Sequence, residues 1–490
     1  MKSRISAFLL FFLVLPCIPL LLSAQEKTDR YVPVEDPLVK TSLEEWQNMK
    51  FGLLMHWGPY SQWGVVESWS ICAEDEAWCF QGDDYISYKK KYESLPETFN
   101  PDKFDPELWA KAAREAGMKY MVFTTKHHDG FCMFDTRATE YRITGPTCPY
   151  HTNAKADVTR GIFDAFRREG MMVGAYFSKP DWHSEFFWWP KFATPDRNVN
   201  YDIRRHPERW EQFVKYTHQQ LDELVSNYGK LGILWLDGGW VRALKPEEQI
   251  FSQVVDDLYT ERGYSMLNIP QNMDIRMDEV AANARKKQPG IIIVDRAVEG
   301  PHQNYLTPEQ SIPPSYLPYP WETCMTMAGS WSYVPGDRYK TTRELIHTLA
   351  DIVSKGGNLL LNIGPAPDGT WAPDAYLRLK EIGEWMKVNG EAIYNTRGCK
   401  TFAEESFRFS KGLNGKTYAI YLVKEGEKNF PGKVVITSLT PSKKCNVSLL
   451  GIPGKLSWEP CENGITVQLP AKATGNPAFD LAWTLVFENL

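Results

Sequence analysis

The chain has little that would tie it to a metal, a nucleic acid or a bilayer. Its 9 cysteines form no paired Cys-x-x-Cys, and no His-Glu-x-x-His occurs, so a structural or catalytic zinc is not suggested. Positive charge is not in excess: 55 Lys and Arg stand against 61 Asp and Glu, a net charge of -6. That leaves no basic footprint for nucleic acid. Beyond the N-terminus no apolar run is long enough to span a membrane. No internal repeat or low-complexity tract is present, which argues against a solenoid.

What the chain does hold is apolar and aromatic. Hydrophobic residues make up 43% of 490, enough for a large core, and the length suits a large barrel with an appendage. Aromatics reach 13%, with 18 Trp; indoles stack on the apolar faces of sugars or simply fill a core. Lys2 and Arg4, the apolar run Phe8 to Leu22 and the small-residue site Leu22-Ser23-Ala24 read as a signal peptide. Residues 1–24 are therefore expected to be removed, and the mature protein to be exported, periplasmic or secreted, without a membrane contact. An oxidising compartment permits disulfides. Cys72 and Cys79 are close enough to bridge a short loop, and Cys445 could pair with Cys461.

The chain is organised around Leu231-Gly-Ile-Leu-Trp-Leu-Asp237-Gly-Gly-Trp240. An apolar run of this kind reads as a strand buried on both faces. It ends in a carboxylate, and chemistry sits at the carboxyl ends of strands in barrels and open α/β sheets. The bland alternative is an Asp-Gly turn. Seven further strands are expected: Phe51 to Gly58, Lys119 to Thr125, Met171 to Phe177, Tyr264 to Asn268, Ile291 to Arg296, Trp321 to Met325 and Asn358 to Asn362. Helices are expected mostly between them, over Pro106 to Gly117, Ala154 to Arg168, Arg209 to Tyr228, Glu247 to Glu261, Arg276 to Lys287 and Thr341 to Lys355, with Asp374 to Asn389 closing the series. This alternation predicts an α/β fold, a (β/α)8-like barrel over 25–395, with a doubly wound open sheet as the alternative. From 396 to 490 short alternating strands between polar turns predict an antiparallel β-sandwich.

The strand ends carry a consistent set: His56, His127 with His128, Tyr176, Asp237, Arg296 and Trp321. Each alone has a structural explanation, but a set converging on one mouth suits a polyhydroxylated ring. Glycoside cleavage needs two carboxyl groups. Asp237 supplies one; Glu299 or Glu309, both after the Arg296 strand, could supply the other.

Lys50-Phe-Gly-Leu-Leu-Met-His-Trp-Gly58, Thr124-Thr-Lys-His-His-Asp-Gly130, Trp235-Leu-Asp-Gly238, Val294-Asp-Arg296, Thr307-Pro-Glu309, Trp321-Glu-Thr-Cys324 and Ser354-Lys-Gly-Gly-Asn-Leu-Leu-Leu-Asn-Ile-Gly364 together resemble the α-L-fucosidases of glycoside hydrolase family 29. The resemblance implies a barrel with a β-sandwich and retaining, exo-acting release of terminal α-L-fucose. The expected partner is a fucosylated oligosaccharide or glycoconjugate, and no cofactor is expected. It also implies Asp237 as nucleophile and Glu309, in preference to Glu299, as acid/base. His56, His127, His128 and Arg296 are expected to hold the sugar's hydroxyls, with Tyr176, Trp235, Trp321, Glu67 and Trp69 around the pocket. In many members the Glu and Trp are adjacent; here Ser68 separates them. Two carboxyls in one small pocket push their pKa values apart, so Glu309 is expected to be the protonated one. A galactosidase on the same machinery and a non-catalytic glycan binder are the rival readings.

Overall fold

The computed structural model describes residues 31–490 apart from 81, 83, 193–195, 251, 253–270, 428–429, 463 and 474–478. The signal-peptide reading and the expected strand Tyr264 to Asn268 lie outside the described residues, as does most of the expected helix Glu247 to Glu261.

Seven parallel strands form one curled sheet: β1 Phe51–Met55, β2 Tyr120–Lys126, β3 Met172–Ser178, β4 Ile233–Asp237, β5 Ile292–Asp295, β6 Glu322–Thr326 and β7 Asn358–Ile363. Their order is β5-β4-β3-β2-β1-β7-β6. These strands are buried almost throughout, which is why they read as unbroken apolar runs rather than alternating ones. Helices cover the outside, and local chemistry starts them. Asp105 caps Pro106–Glu115 through the amides of Glu107 and Leu108, and Thr341 and Glu344 form a capping box on Thr342–Ser354.

The outer edges of the sheet, β5 and β6, are linked by the segment that follows β5. Asn304 N donates to Ile293 O (3.0 Å) on one side. On the other, Glu322 N donates to Leu306 O (2.8 Å) and Gln310 N to Cys324 O (3.0 Å). Sequence reading expects only a loop here. The backbone instead runs alongside β6, pairing Leu306 with Trp321 and Glu309 with Cys324, so Glu309 is held in register with the sheet.

After the last barrel helix, Pro373–Asn389, the pattern becomes antiparallel. A seven-stranded sheet contains β8 Thr396–Arg397, β9 Ala403–Glu404, β10 Phe407–Gly412, β11 Thr417–Leu422, β13 Asn446–Leu449, β14 Ile452–Lys455 and β17 Ala482–Glu488. A three-stranded sheet contains β12 Lys433–Ile436, β15 Trp458–Cys461 and β16 Gly464–Gln468. Phe409, Ile436, Val447, Ile465 and Leu485 share the core of this region. β8, β9, β14 and β15 escape sequence reading because they are two to four residues long and mostly unburied. The sandwich docks on the barrel helices: Trp385 Nε1 donates to Ala482 O (2.9 Å) and Thr484 Oγ1 to Asn389 Oδ1 (2.8 Å).

Neither disulfide permitted by spacing is formed; Cys72, Cys79, Cys445 and Cys461 are free. The Cys72 thiol donates to Asp75 Oδ2 (3.3 Å) and the Cys79 thiol to Glu76 O (2.9 Å). Cys445 precedes β13 and Cys461 ends β15, in different sheets.

Candidate active site

Residues two apart on a strand share a face. Leu54, Val122, Tyr176, Trp235, Val294, Cys324 and Leu360 pack together inside the barrel. Two positions beyond Leu54, Trp235, Val294 and Leu360 come His56, Asp237, Arg296 and Asn362, at the carboxyl ends. The period-two rule thus delivers four polar groups to one mouth.

Asp237 is at the centre. The Tyr176 hydroxyl donates to its Oδ2 (2.7 Å) and Arg296 Nη1 to its Oδ1 (2.9 Å). His128 Nε2 lies 3.9 Å from Oδ2. Burial pushes the carboxyl up, but the Arg296 guanidinium, His128 and the Tyr176 hydroxyl outweigh it and hold it far below the usual carboxylate range. Asp237 is therefore a buried carboxylate that stays ionised. Tyr176 stacks on Trp235 (centroids 5.2 Å apart), its register partner on the next strand. The turn that follows needs its glycines. Gly238 has φ +87°, and a Cβ on it would lie 2.3 Å from Pro180 Cδ; one on Gly239 would lie 2.7 Å from Arg296 O. The Asp-Gly turn is real, and it lets the Arg296 backbone come close to the carboxylate.

Arg296 also bonds Glu309 through Nη2. One guanidinium therefore holds both carboxylates, one buried and one, Glu309, 43% exposed. Glu299 pairs instead with Lys245 (3.2 Å).

The three histidines are buried and neutral. Burial lowers His56 to about 4 against the opposing pull of Asn362 and Asp237, and lowers His128 to about 3 despite Asp237. His127 falls well below the ordinary range through burial and the neighbouring His128 and His56. The strongly raised carboxyl at the mouth is Glu67. Burial, with the negative charges of Glu309 and Asp237 nearby, pushes it up to about 8. Its Oε2 has no hydrogen-bond partner among the described residues. Burial with no cation bonded to it among the described residues is what sets Glu67 apart from Asp237.

Trp69 packs edge-on against His128 and Trp182 (both 5.2 Å). Arg197 lies over both Trp69 (4.8 Å) and Trp240 (5.1 Å). Trp321 is not at the mouth. β6 begins at Glu322, so Trp321 sits at the amino end of that strand. There its Nε1 donates to Lys355 O (3.4 Å), and its ring leaves no room for a Cβ on Gly357. The expected strand itself begins at Trp321, so grouping Trp321 with the mouth overlooks that a strand's first residue lies at the end opposite the carboxyl-end mouth.

Several participants were missed. Asn362 bonds His56 Nδ1 (2.8 Å), and Ser68 bonds His127 Nδ1 (2.6 Å). Trp331 lies 5.1 Å from the His56 ring. Asn362 is legible as the inward position after Leu360. Ser68, Trp331 and Arg197 lie in loops or short turns, where no periodicity marks them. Among the described residues no group of three or more His, Cys, Asp or Glu is arranged for a metal, and no helix is long and apolar enough to cross a membrane.

A family model described as alpha-L-fucosidase matches residues 20–391. The plasma alpha-L-fucosidase of Homo sapiens is 29% identical, covering 94% of this chain and 93% of its own. Alpha-L-fucosidase isoenzyme 1 from Paenibacillus thiaminolyticus superposes with a TM-score of 0.70 at 29% identity, covering 92% of this chain and 99% of that one. Thermotoga maritima alpha-fucosidase in complex with a mechanism based inhibitor gives 0.70 at 26% identity, covering 94% and 100%.

Proposed function

We infer the function from one premise: the chain belongs to the alpha-L-fucosidase family. It hydrolyses α-L-fucosides, and its substrate is a fucosylated glycan. The reaction is an exo-acting double displacement that retains configuration. The observation that carries this reading is the shared guanidinium: Arg296 bonds both Asp237 and Glu309. Carboxyl groups bonded to one guanidinium lie in one pocket, as the two-carboxyl chemistry of glycoside cleavage requires.

Asp237 is the nucleophile. It is kept ionised without a proton acceptor, and it attacks the anomeric carbon as the glycosidic C–O bond breaks. Glu309 gives its proton to the departing oxygen. In the free protein its carboxylate lies against Arg296, so the arriving sugar must part that ion pair first, and Glu309 takes from solvent the proton it then donates. A water then adds to the anomeric carbon, gives its proton to Glu309 and releases Asp237. His56, His127, His128 and Arg296 hold the hydroxyls. Tyr176 orients Asp237, and Trp235 and Trp69 wall the pocket. Glu67, protonated at neutral pH, donates a hydrogen bond to the sugar. The residue 1–24 signal directs export to the periplasm or beyond.

The test is release of nitrophenol from an aryl α-L-fucoside by wild type, Asp237→Asn and Glu309→Gln, with azide as external nucleophile. The reading expects a nearly dead Asp237→Asn, and a Glu309→Gln that azide partly rescues with a retained fucosyl azide. A Glu309→Gln that behaves like wild type would move the acid/base elsewhere, first to Glu67. A wild type inactive on fucosides but active on another aryl glycoside would overturn the substrate.

A further inference from the structure

Three buried histidines line the mouth, and a neutral histidine can be a donor or an acceptor at its free nitrogen depending on where its one proton sits. For two of them the surroundings decide. Asp129 N donates to Ser68 Oγ (3.0 Å). A backbone N–H can only donate, so Ser68 accepts there. Its own proton has one acceptor among the described residues, His127 Nδ1 at 2.6 Å. His127 Nδ1 is then unprotonated, and the ring proton lies on Nε2. The Ser68 anchor is itself fixed: Asp129 accepts from the Tyr92 hydroxyl (2.7 Å) and from Phe131 N (3.2 Å).

His56 is fixed the other way. Asn362 Nδ2 donates to Trp331 O (2.7 Å). Turning that amide over would set two oxygens against each other, so Oδ1 is the atom that faces His56 Nδ1 at 2.8 Å. An amide oxygen only accepts, so His56 carries its proton on Nδ1 and a lone pair on Nε2. Neither Nε2 has a hydrogen-bond partner among the described residues, and the two rings are 5.5 Å apart.

We propose that Ser68 and Asn362 are positioning residues that lock His127 and His56 in opposite tautomers, so that the mouth offers one ring donor and one ring acceptor side by side. The matching ligand has two ring hydroxyls of opposite role, one accepting from His127 and one donating to His56. Which molecule carries those hydroxyls rests on the fucoside reading; the tautomers do not.

The test has two arms on the full-length protein. The first is 15N NMR of histidine-labelled protein without ligand; its 9 histidines are few enough to assign by single substitution. Expected are an unprotonated Nδ1 with a protonated Nε2 for His127, and the reverse for His56. The same tautomer in both rings, or the opposite assignment, overturns the proposal whatever the substrate. Ser68→Ala should leave His127 with a mixed tautomer and lower kcat/KM about tenfold, the effect of losing one hydrogen bond of roughly 1 kcal/mol or slightly more. Ser68→Thr, which keeps the hydroxyl, should restore both readings. A Ser68→Ala protein with an unchanged His127 spectrum overturns the role given to Ser68.

The second arm replaces each sugar hydroxyl in turn by hydrogen and by fluorine, which can accept weakly but not donate. One position should tolerate fluorine better than hydrogen, and another should lose equally with both. No such split, with the NMR assignment intact, overturns the proposed use of the tautomers. If no fucoside binds at all, the fucoside reading fails and the tautomers stand.

Discussion

Two buried carboxylates lie in the same barrel and meet opposite fates. Asp237, at the carboxyl end of β4, touches a guanidinium and is driven down into permanent ionisation. Glu322, at the amino end of β6, accepts from the hydroxyls of Tyr120 (2.6 Å) and Tyr305 (3.1 Å). No cation bonds it among the described residues, and burial pushes it up to about 7 despite those hydroxyls. Both follow a tryptophan by one or two residues in sequence, and both read as strand-associated acids. Burial is common to them; the cation is what differs. A buried carboxylate stays ionised here because Arg296 offsets the cost of its desolvation, and without a cation the same burial favours the protonated acid.

The comparison breaks most visibly by removing the charge. Asp237→Asn should lower kcat/KM about a thousandfold or more, within the range seen when a nucleophile or its partner is lost. Glu322→Gln should leave it within about threefold. Steady-state kinetics on one aryl fucoside covers both. A Glu322→Gln protein as inactive as Asp237→Asn would erase the distinction.

Removing the cation comes next. Arg296→Met leaves Asp237 buried with the Tyr176 hydroxyl as its remaining side-chain hydrogen bond among the described residues. Its kcat/KM should fall about 10²- to 10³-fold, the range for losing one preorganised electrostatic partner. The acid limb of its pH–rate profile should move upward, because the Asp237 carboxyl loses the cation that holds it down. An unmoved limb would show that Arg296 does not set the ionisation.

At the amino end the effect should appear in stability rather than rate. Glu322→Gln should cost about 1–3 kcal/mol at pH 5, measured by denaturant unfolding, because the amide cannot satisfy both tyrosine hydroxyls as the carboxyl does. The sign with pH follows from linkage. A group raised above its ordinary 4.5 to about 7 contributes stability that is full below 4.5 and is lost as pH rises through 7. The gap between wild type and variant should therefore shrink from pH 5 to pH 8.

Glu67 gives the smallest and most specific change. It is raised from 4.5 to about 8, so its contribution is full below 4.5 and gone above 8. Its ionisation adds a negative charge beside Asp237. Wild-type kcat/KM should decline on an alkaline limb near pH 8, and Glu67→Gln should lose that limb while staying within about tenfold of wild type at pH 6. The histidines act at the other end. His56, lowered to about 4, contributes stability present above its ordinary 6.5 and lost as pH falls through 4.

Much of this was legible in the chain. The buried strands announced themselves because parallel strands covered on both faces are apolar without interruption, and Asp237 and Arg296 stood out as charges ending such runs. Glu309 was legible as one of two candidates and was preferred to Glu299 only by resemblance, since nothing in Thr-Pro-Glu-Gln shows that its backbone runs beside β6. Trp321 was misplaced because it opens its strand, whereas the mouth is built from residues that close theirs. Ser68, Arg197 and Trp331 act from loops and short turns, where contact is set by tertiary packing and leaves no period. The raised pKa of Glu67 depends on its burial without a bonded cation, a feature that no spacing encodes.

The most direct test of Asp237 as nucleophile is to trap the covalent intermediate. The wild-type protein is incubated with a 2-fluoro fucosyl fluoride, digested, and its peptides are mapped by mass spectrometry. The expected result is one fluorofucosyl group on the peptide containing Asp237, and none on the Asp237→Asn protein. Label on Glu309, Glu67 or another carboxylate, with Asp237 unmodified, would contradict the account.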